Sequence, residues 1–442
     1  MNALNEEASP HGKGVEDIFI GLMDPNHFAL KETLFQLINE LDLVISYEGR
    51  ALRIRAGMLR SRPYDLRRPP APYRVVLNRG AHWNPHFHAY LSLLEPDLYL
   101  VNDMGSFFAV NKNTAYGQMS RLGLNIPPTA ALPQADYSRL QADPRIHPEI
   151  MFADIEGFDL EEVAKWVGFP AYLKPQSGGG WHGVVRVENM KELVNAYRAS
   201  GDEPMNLQRA VDYREFVRSV GVGPQVLAMH YNPRAPLSHE RHLRGPDRAV
   251  EHDFLSADEY ESVAQITRII NAFYNWDHNS CEILLDTQGR FSPIDFANAC
   301  PDSSPVSVHY YFPDLVKALA RWLIFVAVSA RRKPCYKAIW PTFISCAEAL
   351  DRDRADGAER RRALDAIARA HFDADRFDAF CHEKLPDFDQ RCHTFFADDR
   401  FFDILAREVR LYFQSPAEAE AQLEHYMGIH RFWLHCDKGR GK

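Results

Sequence analysis

Three patterns in the sequence predict an α/β protein with a helical tail. From Asp17 to about residue 110, short apolar runs alternate with amphipathic helical segments, which is the pattern of a parallel sheet. From Phe169 onward, short strands gather around a glycine-rich turn and a hairpin, which predicts α+β units. After Pro313 the chain becomes almost wholly helical. The length of 442 residues fits two or three units of about 150 residues each.

Residues 1–16 read as a polar leader. DIFIGLM is a strand, ALKETLFQLINEL an amphipathic helix and LVISYEG a second strand. The loop SRPYDLRRPPAPY leads to RVVLN, then to the helix HFHAYLSLLEP and the strand DLYLVN, so residues 17–110 are expected to form an N-terminal parallel α/β domain. Asn111–Leu122 reads as a helix, and the prolines of LNIPPT enforce an extended path after it. Residues 133–160 read as a surface excursion. FPAYLKP, GVVRVEN, the helix MKELVNAYRAS and MNLQRAV make a small unit over about 165–210, inside a larger one spanning 111–330. SCEILLD and RFSPIDF are strands joined at TQGR. Residues 331–442 remain as a helical extension, and no internal repeat is present.

Composition narrows the function classes. With 46% hydrophobic and 25% charged residues, the chain is neither disordered, collagen-like nor a coiled coil. Lys and Arg number 51 against 60 Asp and Glu, a net charge of −9, so no global field draws it to nucleic acid. Seven cysteines, none before Cys281 and none in a CxxC pair, point to a reducing compartment and a cytoplasmic protein. Met1–Asp17 carries Glu6, Glu7, Glu16 and Asp17 but no apolar signal core. The apolar run Leu315–Val328 holds Lys317 and Arg321 and is too short to span a bilayer, so no membrane partner is expected.

Four features carry chemistry, and their order matters. Lys112 opens a helix after a strand. Lys174 ends a strand three residues before Ser177, Gly178, Gly179 and Gly180. Glu215 follows LQRAVDY. Glu282 is followed thirteen residues later by Asp295 and then by Asn298. Two lysines from different units can grip a triphosphate from two sides. A glycine loop lets backbone N–H groups reach phosphate oxygens. An acid suits a ribose diol. Glu282, Asp295 and Asn298 offer only oxygen, which suits Mg²⁺ held together with substrate phosphates. Each has a structural alternative: a strand-end lysine, a tight hairpin, or turn formers capping a helix.

In this order the motifs resemble the ATP-grasp superfamily, and within it the carboxylate–amine ligases such as the ribosomal-protein glutamate ligases, D-alanine–D-alanine ligases and glutathione synthetases. The resemblance covers about Asp17–Ala330 and is strongest over Asn111–Asp302. It also extends to a subgroup of bacterial ATP-grasp proteins carrying LKP-x-x-GGGW and IDF-x-N. It implies an ATP-grasp fold in which two α+β subdomains clasp ATP. Lys112 and Lys174 would bind phosphates, and Ser177–Gly183 would form a lid. Gln208–Val211 would be the hinge against adenine, with the backbone of Arg209 and Val211 reading its edge. Glu215 would hold ribose, and Glu282, Asp295 and Asn298 would hold Mg²⁺, or Mn²⁺ in its place. Arg218 would face the transferred phosphate or the acyl substrate, and Arg241 or Arg244 would contact phosphate. The sequence departs from the usual pattern in Asn111 before the first lysine, in Gln208-Arg209 at the hinge, and in the two residues between Asp295 and Asn298. That last spacing calls for a bulge if Asn298 is to share the site.

The implied activity is ATP-dependent ligation of a carboxylate to an amine through an acyl phosphate, on small-molecule or peptide substrates. A small-molecule kinase and an ATP-binding regulatory protein without turnover remain the alternatives, and a homodimer is left open. Trp181 and His182 would either shield the intermediate or pack the closed lid. His82, His86 and His88 suggest a metal at first sight, but His86 and His88, two residues apart, would diverge on a helix, so a substrate-facing loop near Arg79 is expected rather than a zinc site. Cys281 and Cys300 read as small hydrophobes.

Overall fold

A strand, β1 (Val15–Met23), exposed at its start and continuously buried from Ile20 on, and a helix over Phe28–Leu41 with its apolar stripe at Leu30, Leu34, Leu37, Ile38 and Leu41 open the fold. The computed structural model describes residues 14–109, 111–145, 147, 149–150, 156–177, 181–235, 240–244 and 249–440. The first sheet contains β1, β2 (Val44–Tyr47), β3 (Arg50–Met58), β4 (Val75–Asn78) and β5 (Tyr99–Val101), in the order β2-β3-β1-β4-β5. β1 runs parallel to β3 and β4, and β4 runs parallel to β5. The four-strand parallel reading therefore needs correction, because β3 is an additional strand and β2 pairs with it antiparallel. Glu48 and Gly49 both have positive φ, 48° and 76°, which makes the two-residue hairpin that turns β2 into β3. Leu52, Ile54 and Ala56 then face the core while arginines alternate outward.

A second sheet is wholly antiparallel. It orders β6 (Thr129–Leu132), β7 (Ala171–Pro175), β8 (Val185–Val187) and β9 (Met205–Arg209) as β6-β9-β7-β8. The Leu160–Val167 and Met190–Ala199 helices cover it, and Leu132, Val167, Leu173, Leu193 and Leu207 form its own core. β6 thus joins the unit expected to begin near residue 165.

The third sheet carries the chemistry. β10 (Glu215–Val222) turns through Gly223 into β11 (Gln225–His230). β12 (Leu243–Arg244) and β13 (Ala249–Val250) form a short ribbon. β14 (His278–Leu285) and β15 (Phe291–Asp295) complete an antiparallel sheet in the order β11-β10-β14-β15. The Ala257–Tyr274 helix backs it, started by a capping box between Ser256 and Glu259. The Phe312–Ser329 helix is buried almost end to end, and no helix among the described residues is long and apolar enough to cross a membrane.

Six further helices lie between Trp340–Arg352 and Pro416–Arg440. They share one hydrophobic cluster with the first and third sheets. Buried polar groups join them to the rest. Glu408 accepts hydrogen bonds from the Ala29 amide at 2.9 Å and from Ser304 Oγ at 3.0 Å. Lys333 donates to Asp277 at 2.5 Å, and Asp277 also accepts from Tyr99 at 2.6 Å and from Trp322 at 3.2 Å.

Candidate active site

The second and third sheets face each other across a cavity. Lys112, Lys174, Ser177, Gln208, Arg209, Val211, Arg218, Arg241, Glu282, Asp295 and Asn298 all line it. These residues come from a helix start, two strands of the second sheet, three of the third and the loops that follow them, so the topology brings together what lies 186 residues apart in the chain at its extremes, Lys112 and Asn298.

Lys112 is the first residue of the Lys112–Arg121 helix, whose N-cap Asn111 accepts from the Thr114 amide at 2.9 Å. Asn111 therefore has a local task that Asp would also perform. Lys112 Nζ reaches Asp295 at 3.0 Å. One turn later on the same helix, Tyr116 donates to the Ile294 carbonyl at 2.6 Å. Lys174, on β7, has all three ammonium donors engaged by uncharged oxygens: Gln208 Oε1 at 2.7 Å, the Ile294 carbonyl at 3.1 Å and Tyr116 Oη at 3.2 Å. Burial lowers the Lys174 pKa to about 8, with Asp295 and Glu282 opposing and Lys112 adding to the fall.

The carbonyl that holds Lys174 is free because of a bulge. Glu282 pairs with Asp295 and Ile283 with Pro293, so Ile294 is the extra residue of β15. The bulge precedes Asp295 rather than following it. Asn298 lies beyond the end of β15, which ends at Asp295, so strand alternation does not govern it and the two-residue spacing is no obstacle. Its side-chain nitrogen donates to Ser280 at 2.9 Å, leaving Oδ1 as the acceptor. Burial first, then the charge of Asp295, push the Glu282 carboxyl up, as two facing carboxylates with few water contacts require. No group of three or more His, Cys, Asp or Glu side chains with metal-site geometry occurs among the described residues. A pair of carboxylates with one amide oxygen fits Mg²⁺ that completes its shell with substrate oxygens.

Two arginines line the same cavity. Arg218, opposite Glu282 across β10 and β14, donates to the Asp302 carbonyl at 3.0 Å and to Ser307 Oγ at 3.3 Å. Arg241 donates to Tyr231 Oη at 2.9 Å and buries an Nε with no partner among the described residues. Both guanidinium groups lie 5.8 Å from the centre of the Tyr231 ring. Tyr172, Val184, Val211, Phe216 and Leu284 add apolar lining to the same cavity.

Other expected residues sit differently. Glu215 opens β10 with the parity of Val217, opposite to Phe216 and Arg218, and it does not border the cavity. The Arg209 amide is already bonded to the Pro128 carbonyl at 2.9 Å, and its Nε caps the Val167 carbonyl at 2.5 Å. Only the carbonyl of Arg209 is left for a base edge. Gly178, Gly179 and Gly180 lie outside the described residues, as do the side chains of Arg244 and His82. Trp181 has φ 66°, borders the cavity beside His182 and packs edge-on to Tyr172 at 6.2 Å. His86 turns to the Arg62 carbonyl at 2.9 Å, away from any metal arrangement. Cys281 is fully buried behind Glu282, and burial pushes its thiol pKa up.

Sequence reasoning missed Tyr116, Tyr231, Asp302 and Ser307. Tyr116 alone had a local signal, four residues after Lys112 on a helix and so on the same face. Asp302 links the cavity to the first sheet. It pairs with His27 at 3.2 Å, His27 with Asp24 at 3.3 Å, and Asp24 with the buried Arg79 at 2.7 Å. Arg79 in turn donates to the Pro301 carbonyl at 2.7 Å.

No protein-family model matches the chain, and no curated protein matches it. Among solved structures it is similar to a RimK-domain ATP-grasp protein from Sphaerobacter thermophilus, at 13% identity and a TM-score of 0.44, covering 69% of this chain and 99% of that one. It is also similar to the macrocyclase MdnC of Microcystis aeruginosa bound with precursor peptide MdnA, at 10% identity and a TM-score of 0.45, covering 70% and 99%. A third is the D-alanine–D-alanine ligase of Bacillus anthracis complexed with ATP, at 14% identity and a TM-score of 0.42, covering 77% and 100%.

Proposed function

We propose that the chain is an ATP-dependent ligase that joins a carboxylate to an amine. The observation that carries this reading is the charge order of the cavity. Lys112 pairs with Asp295, Asp295 stands opposite Glu282 on β14, and Glu282 stands opposite Arg218 on β10, so the carboxylates lie between a lysine and an arginine, with Lys174, Arg241 and Asn298 lining the same cavity. That arrangement suits a triphosphate laid along the cavity, its base against Val211 and Leu284 and its terminal phosphoryl group toward the arginines. Glu282, Asp295 and Asn298 would hold Mg²⁺, which when bound supplies charge neutralisation for the phosphates.

In the proposed reaction, an oxygen of the substrate carboxylate attacks the γ-phosphorus as its bond to the bridging oxygen breaks, giving an acyl phosphate and ADP. The amine then attacks the acyl carbon, phosphate leaves, and one proton is released to solvent. No protein nucleophile is needed. The side chains position reactants and match developing charge, with Arg218 and Arg241 offering forked donors to phosphoryl or carboxylate oxygens. Trp181 and His182, at the mouth of the cavity, would exclude water from the acyl phosphate.

The test is phosphate release from ATP and Mg²⁺ across a panel of amino acids and short peptides, offered singly and in acid–amine pairs. Release that requires both an acid and an amine, and that falls at least 100-fold in Lys174→Ala, is the expected result. ADP formation with a phosphorylated product and no free phosphate would make the chain a kinase instead.

A further inference from the structure

The loop after β3 stands apart from the charge of the rest of the chain. Residues 59–74, LRSRPYDLRRPPAPYR, hold five arginines and one aspartate in a protein of net charge −9. Arg67 pairs with Asp65 at 3.0 Å and Arg74 with Glu16 at 2.9 Å. Arg60, Arg62 and Arg68 are exposed, and among the described residues no carboxylate pairs with them. Three unpaired guanidinium groups on one loop make a local positive field that the net charge hides.

The loop is held in shape. Tyr90 donates to the Pro70 carbonyl at 2.5 Å, Tyr73 to the Met58 carbonyl at 3.2 Å, and His86 meets the Arg62 carbonyl at 2.9 Å. The Tyr64 ring packs between His86 and Tyr90 at 5.2 and 5.0 Å, and Pro63, Pro69, Pro70 and Pro72 restrict the backbone. The loop backbone is therefore ordered before a ligand arrives, and only the arginine side chains remain to be ordered on binding.

Its place in the fold gives it a direction. The loop begins with Leu59, whose amide bonds to the Leu22 carbonyl at 2.9 Å at the carboxyl edge of the parallel strands. That edge also carries Asp24 and Arg79, and through His27 it touches Asp302 on the wall of the cavity. Ligands of open parallel sheets lie along this edge. Exposed apolar surface is there too, in Leu66 and Trp83, 72% and 57% exposed.

We infer that Arg60, Arg62 and Arg68 dock an acidic stretch of a polypeptide substrate and hold it at the sheet edge that leads into the cavity. This rests on the ligase reading for its purpose but not for its measurement. Carboxylates spaced along a flexible peptide can meet the three arginines one by one, and Leu66 and Trp83 offer contacts to its backbone and apolar side chains. In a chain of net charge −9, three arginines on one loop are too few for the extended run of phosphate contacts that a polyphosphate chain binds through.

The experiment uses the full chain and a fluorescein-labelled ten-residue peptide rich in glutamate, with a lysine-rich peptide and a single-stranded RNA of equal length as competitors. Binding of the acidic peptide should weaken about tenfold when salt rises from about 50 to about 300 mM, and by about tenfold in the Arg60→Ser/Arg62→Ser/Arg68→Ser triple variant. ADP affinity of that variant should stay within about twofold of the parent, because the loop does not border the nucleotide cavity. Arg62→Glu alone should weaken the peptide further than Arg62→Ser. Equal peptide binding by parent and triple variant, no peptide binding at all, or RNA binding as tight as the peptide would each overturn the inference. Failure of ADP to bind the parent would instead overturn the nucleotide reading, with the peptide result standing on its own.

Discussion

Tyr116 sets the position of the Lys174 ammonium. Its hydroxyl donates to Ile294 and accepts from Lys174, so it fixes the ammonium rather than contacting a ligand itself. Tyr116→Phe keeps the ring against Phe296 and removes only the hydroxyl. We expect it to weaken ADP binding about tenfold, and to add nothing in a Lys174→Ala background. Additive effects in calorimetric titrations of the four proteins would show that Tyr116 acts elsewhere.

His27 offers a pH test. Burial alone would lower its pKa, yet the bonds and charges of Asp24 and Asp302 raise it to about 9 from 6.5. The folded state thus keeps a proton that the unfolded state has lost across that window. The stability it contributes is complete below pH 6.5 and disappears as pH rises through 9. The melting temperature of the parent should fall by a few degrees more than that of His27→Gln between those limits. If the two curves run parallel, His27 is not held as a cation.

The elements show which features the sequence could reveal. Lys112, Lys174, Glu282 and Asp295 were legible because each residue type and its order imply the chemistry. The Glu215 parity was not, because nothing local says where β10 begins, and a one-residue shift exchanges the two faces of a strand. The bulge at Ile294 leaves only an ambiguous mark: Pro293 beside it suits an edge strand as well as a bulge, and the extra residue exists only relative to β14. β3 was legible in principle, since Arg and apolar residues alternate from Arg50 to Ala56, but its arginine content reads as loop. The β10–β11 turn gives a sharp prediction at this scale. Gly223 has φ 55°, and a Cβ there would stand 2.5 Å from the Trp322 ring. Gly223→Ala should cost about 2–4 kcal/mol in urea unfolding, from backbone strain and overpacking together. A loss below 1 kcal/mol would mean the helix moves aside.

Across the whole molecule, the helical extension behaves as part of the fold rather than an addition to it. Arg268 and Asp365 pair at 2.7 Å with both side chains buried, and Arg360 reaches the Leu122 carbonyl behind the lysine-bearing helix at 3.4 Å. Glu408 holds the start of the Phe28–Leu41 helix and the loop at Ser304 at once. Glu408→Ala leaves two buried donors without a partner and should lower stability by about 2–4 kcal/mol, read by urea denaturation. It should also weaken ADP binding less than stability, because Ser304 neighbours Asp302 but not the phosphates.

The Ala29–Glu408 bond closes a span of 379 residues. During synthesis the two lysines, both arginines and the paired carboxylates all leave the ribosome long before Glu408 is made. A nascent chain therefore carries all of these cavity-lining groups while the side chain that holds Ser304, two residues from Asp302, is still to be made, and the bonds that close the fold across its full length form only with the last helices.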